Sequence, residues 1–323
     1  MPHFENEPTI STDAQFGDWR DELIENGFVV LKGVLSTDKA QSYMDRMCSW
    51  LESFPYGFKR DDPATWKAEC LPNHMKGGMY HDYAVQHEKF MWDARCEPSV
   101  IAPFQKLWET EDLLVSFDGM NLTVPVTPRP TSSPWPHVDQ SPLRKGMQCV
   151  QGILNLAPNG PDDGGLVVLK SSSKLNEVFF KTKNIKEGNT WGPADWYGFE
   201  QEDVDWFIER GCEMVKVCAE PGDLVLWDSR TVHYNILPTT NNTRAVMYIC
   251  YSPAKFASQS DVEQKAAFFR DRVGTTHWPH ANMFVSGKKH PDRESGLAFG
   301  RDRPWEEPEE TDILLKLAGA LPY

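Results

Sequence analysis

Pro134-Trp135-Pro136-His137-Val138-Asp139-Gln140 is the stretch on which the reading of this chain turns. Side chains alternate across an extended strand, so His137 and Asp139 point to the same side. An imidazole nitrogen beside a carboxylate oxygen lacks only a second histidine to become the ligand set that suits non-haem Fe(II). The two prolines stiffen the approach, because each fixes its own φ and restrains the residue before it. Alone, His-x-Asp is an unspecific signal, and its meaning depends on what the rest of the chain supplies.

Further along the chain comes Pro221-Gly222-Asp223-Leu224-Val225-Leu226-Trp227-Asp228-Ser229-Arg230-Thr231-Val232-His233. Pro-Gly-Asp makes a turn. An apolar strand follows and is expected to deliver His233 at its far end, to a pair carried on a facing strand. Arg244 then opens the strand Ala245 to Tyr251. An arginine buried at a strand start wants a carboxylate, which its planar fork binds with two parallel hydrogen bonds.

Composition sets the outer limits. The 323 residues are 40% hydrophobic and 25% charged, an ordinary globular make-up. With 33 Lys+Arg against 47 Asp+Glu the net charge is −14, so the basic field needed for nucleic acid or an anionic membrane surface is missing. Seven cysteines without a Cys-x-x-Cys point to free thiols in a reducing compartment. A polar N-terminus without a secretory pattern, and no apolar run near the ~18 residues of a membrane span, make the expected location cytoplasmic.

Helical patterns cover Phe16 to Asn26, Thr37 to Phe54, Tyr83 to Arg95, Val100 to Thr110, Val262 to Arg272 and Thr311 to Leu317. A strand is expected over Phe28 to Leu35, and an irregular loop over 55–82. From Leu113 short β-rich runs separated by turn residues take over: Leu113–Phe117, Asn121–Val126, Gln148–Leu156, Gly165–Leu169, Met214–Cys218, Asp223–Asp228 and Arg244–Tyr251. The expected architecture is α+β, with N-terminal and flanking helices around an antiparallel, cupin-like jelly-roll barrel, also termed a double-stranded β-helix. It is read as one catalytic domain over 1–323. Residues 14–112 are mainly helical, 113–255 form the jelly-roll core with an insertion at 181–210 containing Trp191, Trp196, Tyr197 and Trp206, and 256–323 hold a helix, a lid-like segment and a tail.

His137, Asp139, His233 and Arg244, in that order, resemble the Fe(II)/2-oxoglutarate dioxygenases and, more narrowly, the phytanoyl-CoA dioxygenase family. Glu25-Asn-Gly-Phe-Val-Val-Leu-Lys-Gly-Val-Leu-Ser36 is similar to that family's opening segment. Gly164-Gly-Leu-Val-Val-Leu-Lys-Ser-Ser-Ser-Lys174 resembles its Gly-x-Leu-x-x-x-Pro-Gly-Ser-His stretch, with Lys170-Ser171 in place of Pro-Gly and Lys174 in place of His. The resemblance spans residues 16–255. It implies Fe(II) on His137, Asp139 and His233, with 2-oxoglutarate chelating the metal and its far carboxylate on Arg244. O2 is the third reactant, and succinate and CO2 are the co-products. Halogenases related to the family lack a carboxylate at the Asp139 position, so Asp139 argues for hydroxylation, desaturation or another oxidative rearrangement. The expected substrate is a small-molecule metabolite. A cupin-like metal-binding protein with a sensing or structural role is the alternative, and Arg244 discriminates, since a bare metal site has no need of a dicarboxylate anchor.

Further candidates surround this set. Asn121 is placed either against 2-oxoglutarate or as a strand-edge amide. Gln148 and Gln151 differ by three and face opposite sides, so at most one looks inward. Trp227 is expected to pack in the core, and Arg95 to lie on a helix surface or in an ion pair. His81 is a candidate for the pocket. Thr275-Thr-His-Trp-Pro-His-Ala-Asn-Met-Phe284 reads either as a lid, with His277 and Phe284 toward substrate, or as a surface loop pinned by Trp278.

Overall fold

Local signals set the element boundaries. The Asp18 carboxylate accepts from the Arg20 amide and starts α1 (Trp19–Asn26), and Gly27, at φ 81°, ends it. The computed structural model describes residue 10 and residues 14–126, 131, 133–183, 195–292 and 297–323. After α1 come β1 (Phe28–Leu31), α2 (Thr37–Glu52), β2 (Met79–Tyr80), α3 (Lys89–Arg95) and α4 (Pro98–Trp108). The β-rich part then runs β3 (Leu113–Val115), β4 (Met120–Thr123), β5 (His137–Val138), β6 (Val150–Asn155) and β7 (Gly165–Lys170). Next come α5 (Ser172–Thr182), β8 (Tyr197–Gly198), α6 (Gln201–Ile208), β9 (Glu213–Lys216) and β10 (Leu224–Asp228). The chain continues through β11 (His233–Ile236), β12 (Arg244–Tyr248), β13 (Tyr251–Pro253), α7 (Gln259–Arg270) and α8 (Asp312–Leu317).

The strands form a six-stranded sheet in the order β1-β10-β6-β12-β4-β2, a five-stranded sheet β8-β5-β11-β7-β9, and the pair β13-β3. Adjacent strands are antiparallel, as in β10 with β6 and β7 with β9. The two large sheets pack face to face. Ile153, Val225, Trp227 and Val246 of the first meet Leu166 and Val168 of the second. Period-two alternation sends Leu224 and Leu226 to the other face, where they join Phe104, Trp50 and Leu51 of the helices. Both faces of β10 are therefore buried, which is why it reads as an unbroken apolar run. Each such side chain contributes about 1.5–3 kcal/mol on burial. On the outer face of the five-stranded sheet, Val138, Leu169 and Val232 pack against Phe179 and Phe207 of α5 and α6.

The two facing antiparallel sheets and the flanking helices give the mixed α and β architecture expected from the sequence. Several details differ. β1 stops at Leu31, because Gly33 turns at φ 61° and its N–H donates to Asp223. The helix expected over Tyr83 to Arg95 begins only at Lys89, since Tyr83 and Ala84 adopt left-handed backbone. Arg244–Tyr251 divides into β12 and β13, which belong to different sheets. α5 follows β7 directly, a helix that the sequence reading did not include. Trp191 lies outside the described residues. Arg95 is not exposed, and among the described residues it has no ion-pair partner. It is fully buried and donates to the main-chain carbonyls of Gln86 and Asp118.

Candidate metal centre and adjoining compartment

β5 and β11 place the two histidines. In their register, His137 and His233 are direct Cα partners. His233 thus opens a strand that pairs beside His137. The expectation that it ends the β10 strand and faces the pair is corrected by the turn at Ser229–Val232, which carries the chain from one sheet to the other. Asp139 follows β5 directly, its N–H held by the Ser229 carbonyl at 2.9 Å. All three residues are buried, and one ligand atom from each lies within 4.8 Å of the others. The Asp139 Oδ2 atom is 3.2 Å from His233 Nε2 and 3.6 Å from His137 Nε2.

The donor chemistry fits a divalent metal. His137 Nδ1 bonds to the Trp135 carbonyl at 3.0 Å, and His233 Nδ1 to the Thr231 carbonyl at 2.9 Å. A carbonyl only accepts, so both Nδ1 atoms carry the proton and both Nε2 lone pairs face Asp139. Burial, with His233 adding to it, pushes the His137 pKa down and keeps its imidazole neutral. Burial pushes the Asp139 pKa up, yet the neighbouring His137, His277 and His233 rings outweigh it and hold the carboxyl well below the usual carboxylate range. Two imidazoles whose Nε2 atoms converge on one carboxylate beside a cavity are the donor set of a facial 2-His-1-carboxylate site.

Two joined compartments open from this centre. The first, about 290 Å³, is lined by the triad with Gln151, Trp196, Trp227, His81 and His277 among others. The second, about 250 Å³, holds Arg244, Asn121, Thr123 and Gly165. Lys76, Met79, Trp135, Asn235 and Tyr248 line both. Arg244 is buried and its Nε makes no hydrogen bond. No carboxylate among the described residues pairs with it. Gly165, at φ 94°, lies flush against it, and a Cβ there would stand 2.8 Å from Nε. A buried guanidinium without a carboxylate beside an open cavity is the mark of an anion-binding end.

The remaining candidates divide. Gln151 Nε2 donates to Asp139 Oδ2 at 2.8 Å and to Ser229 Oγ, so its amide sits on the Asp139 carboxylate and outside the Arg244 compartment. Gln148 faces away, bonds the Lys145 carbonyl and lines neither compartment. Asn121 lines the Arg244 compartment and accepts from Thr123 Oγ1. His81 Nδ1 contacts Ser286 Oγ at 2.6 Å, and its Nε2 looks into the metal compartment beside Asp118. Thr276, His277 and Ser286 bring the C-terminal segment into the wall. Trp278 is fully buried beside Cys149 and Cys250 and pins the segment there. Phe284 is 39% exposed and lines neither compartment. Trp227 packs in the inter-sheet core and also lines the metal compartment.

Sequence reasoning missed Trp135, Trp196, Tyr248, Asn235 and Lys76. The Trp135 ring stacks on His137, centroids 4.3 Å apart and nearly parallel, and Lys76 Nζ lies 3.3 Å over that indole. Burial lowers the Lys76 pKa, against the pull of Asp139. Period two was the unused signal: Asn235 stands two places after His233, and Tyr248 four after Arg244.

A family model described as phytanoyl-CoA dioxygenase (PhyH) matches residues 23–246. The chain is 42% identical over 277 residues to the Ava biosynthesis cluster protein O of Aspergillus versicolor, covering 85% of this chain and 90% of that protein. Among solved structures it is similar to the epimerase SnoN in complex with Fe3+, alpha ketoglutarate and nogalamycin RO, at 17% identity and TM-score 0.53, covering 83% and 95% of the two chains. It is also similar to the carbocyclase SnoK from nogalamycin biosynthesis, at 14% identity and TM-score 0.50, covering 77% and 88%. At these identities the two structural likenesses are likenesses of fold. Among the described residues no helix is long and apolar enough to cross a membrane.

Proposed function

The chain belongs to the phytanoyl-CoA dioxygenase family, and from that premise we propose that it is an Fe(II)- and 2-oxoglutarate-dependent oxygenase acting on a small-molecule metabolite. The observation that carries this reading is the pairing of two features. A buried His-Asp-His set lines a compartment that adjoins a second one holding Arg244, which among the described residues has no carboxylate partner. The two facing antiparallel sheets are read as the double-stranded β-helix of such enzymes.

His137, Asp139 and His233 hold the iron. Gln151 fixes the rotamer of Asp139, and the carbonyls of Trp135 and Thr231 fix both imidazoles. Arg244 takes the far carboxylate of 2-oxoglutarate as a two-pronged ion pair, with Asn121 beside it. Bound together, the metal and cosubstrate supply an oxidative decarboxylation that releases succinate and CO2 and uses O2 to oxidise a C–H bond by hydroxylation, desaturation or a related rearrangement. The protein's part is orientation and exclusion of water. Trp135, Trp196 and Trp227 wall the metal compartment with apolar rings, while His81 and His277 offer hydrogen-bonding nitrogens to substrate.

A succinate assay over a panel of metabolites, with Fe(II) and 2-oxoglutarate present, tests this reading. Metabolite-dependent succinate is expected from the wild type and none from His137→Ala or His233→Ala. Retained turnover in either variant would falsify the ligand assignment.

A further inference from the structure

Asp195 lies outside the metal triad, yet three distant stretches meet on its carboxylate. It is 4% exposed and has left-handed backbone, φ 58°. Oδ1 accepts the Ser141 N–H at 3.1 Å, Oδ2 accepts Arg144 Nε at 2.7 Å, and Oδ2 also accepts from Asn282 Nδ2. Each of these stretches carries a wall of the metal compartment. Ser141 stands two residues after Asp139. Trp196 follows Asp195 directly, lines the compartment and has its ring 6.0 Å from that of His137. The Asn282 carbonyl accepts from Thr276 Oγ1 at 2.8 Å, and Thr276 and His277 both line the compartment. Arg144, held by Asp195, lays its guanidinium 4.6 Å over the ring of the buried Trp278. The far end of the C-terminal segment is fastened separately. Gln86 donates to the Ser286 carbonyl, and Asp82 accepts the Lys288 N–H.

We propose that Asp195 is a positioning residue for substrate: a clasp that seats the Trp196 wall and the Thr276–His277 wall together against the loop leaving Asp139. This rests on the oxygenase reading for what the compartment holds, and on geometry alone for the clasp. A buried carboxylate that accepts from three donors ties their segments to one point, so the two walls are coupled through it. Loss of Asp195 releases them together and leaves the triad and the Arg244 compartment intact, since among the described residues neither the triad nor Arg244 donates a hydrogen bond to it.

The test uses the full chain loaded anaerobically with Fe(II), comparing wild type, Asp195→Ala and Asp195→Asn. Asparagine tolerates the left-handed backbone and retains one acceptor oxygen. Amide exchange is followed over 196–199, 276–284 and, as a control, 150–155. Removal of iron by an external chelator is timed, and 2-oxoglutarate is titrated by its visible absorption with iron. In Asp195→Ala both wall segments are expected to exchange about tenfold faster, in concert, with 150–155 unchanged. The chelator strips iron about tenfold faster while the 2-oxoglutarate midpoint stays within about twofold, because the chamber has opened and the ligands have not changed. Asp195→Asn falls between the two. Faster exchange confined to one wall, exchange spreading into 150–155, or unaltered iron release overturns the clasp. Absence of the absorption band in the wild type sinks the oxygenase reading instead, and the exchange data still decide the role of Asp195.

Discussion

His137 and His233 are register partners across β5 and β11, with their ring centroids 4.3 Å apart. The convergence of two ligands is thus built into the main-chain pairing of one sheet, and no long side-chain reach is needed. The Nδ1–carbonyl bonds on both rings leave only Nε2 free to bind. Replacing either histidine with alanine is expected to cut Fe(II) affinity by ~100-fold or more, beyond the 10–100-fold cost of losing an outer partner. Anaerobic equilibrium dialysis measures it; affinity within a few-fold of wild type contradicts the assignment.

Gln151 and Gln148 provide a matched pair. Only Gln151 reaches Asp139, so Gln151→Ala should weaken metal binding about 10–100-fold. Gln148→Ala should leave it unchanged. Equal effects in the same dialysis experiment would show that the carboxylate is not positioned through Gln151.

Gly165→Ala addresses the other compartment. The added Cβ would stand 2.8 Å from Arg244 Nε at a residue with φ 94°. A stability loss on the order of 1–3 kcal/mol is expected from the backbone strain. A weaker 2-oxoglutarate titration should accompany it, with Fe(II) affinity preserved. Unchanged 2-oxoglutarate binding in the folded variant argues against Gly165 cradling the guanidinium.

How far the sequence disclosed the site depends on the kind of signal each residue carries. The four candidate positions could be picked out because strand alternation and turn chemistry are local. His137-x-Asp139 and Arg244 at a strand start need no knowledge of the partner sheet. His233 was found for a different reason than expected, since nothing local reveals that Ser229–Val232 crosses between sheets. Gln151 was legible as one of two glutamines on opposite faces, but not its partner, because the contact to Asp139 joins strands far apart in sequence. Lys76 and Trp196 reach the compartment from irregular segments, where no period exists to be read. Asp195 gave no signal at all: its three donors come from positions 141, 144 and 282.

Glu88 makes stability depend on pH. It is fully buried, and burial lifts its pKa from 4.5 to about 7 despite N–H donors from Glu306, Trp305 and Trp50. Between those values the folded chain keeps a proton that the unfolded chain releases. Stability therefore falls as pH rises through the window, by on the order of 3 kcal/mol at most, and levels off above it. Urea denaturation between pH 5 and 8 should show this slope in the wild type and a flatter one in Glu88→Gln. A slope that the substitution leaves intact assigns the proton elsewhere.

The central claim, that one chamber holds iron at the His-Asp-His set and 2-oxoglutarate against Arg244, is tested most directly by titrating the anaerobic Fe(II) protein with 2-oxoglutarate and recording its visible spectrum. A weak, saturable charge-transfer band is expected in the wild type. In Arg244→Ala, iron stays bound while the midpoint moves up about tenfold or more, as expected for loss of a buried charge-assisted pair. Bound iron with no band at any 2-oxoglutarate concentration, or an unmoved midpoint in Arg244→Ala, contradicts it.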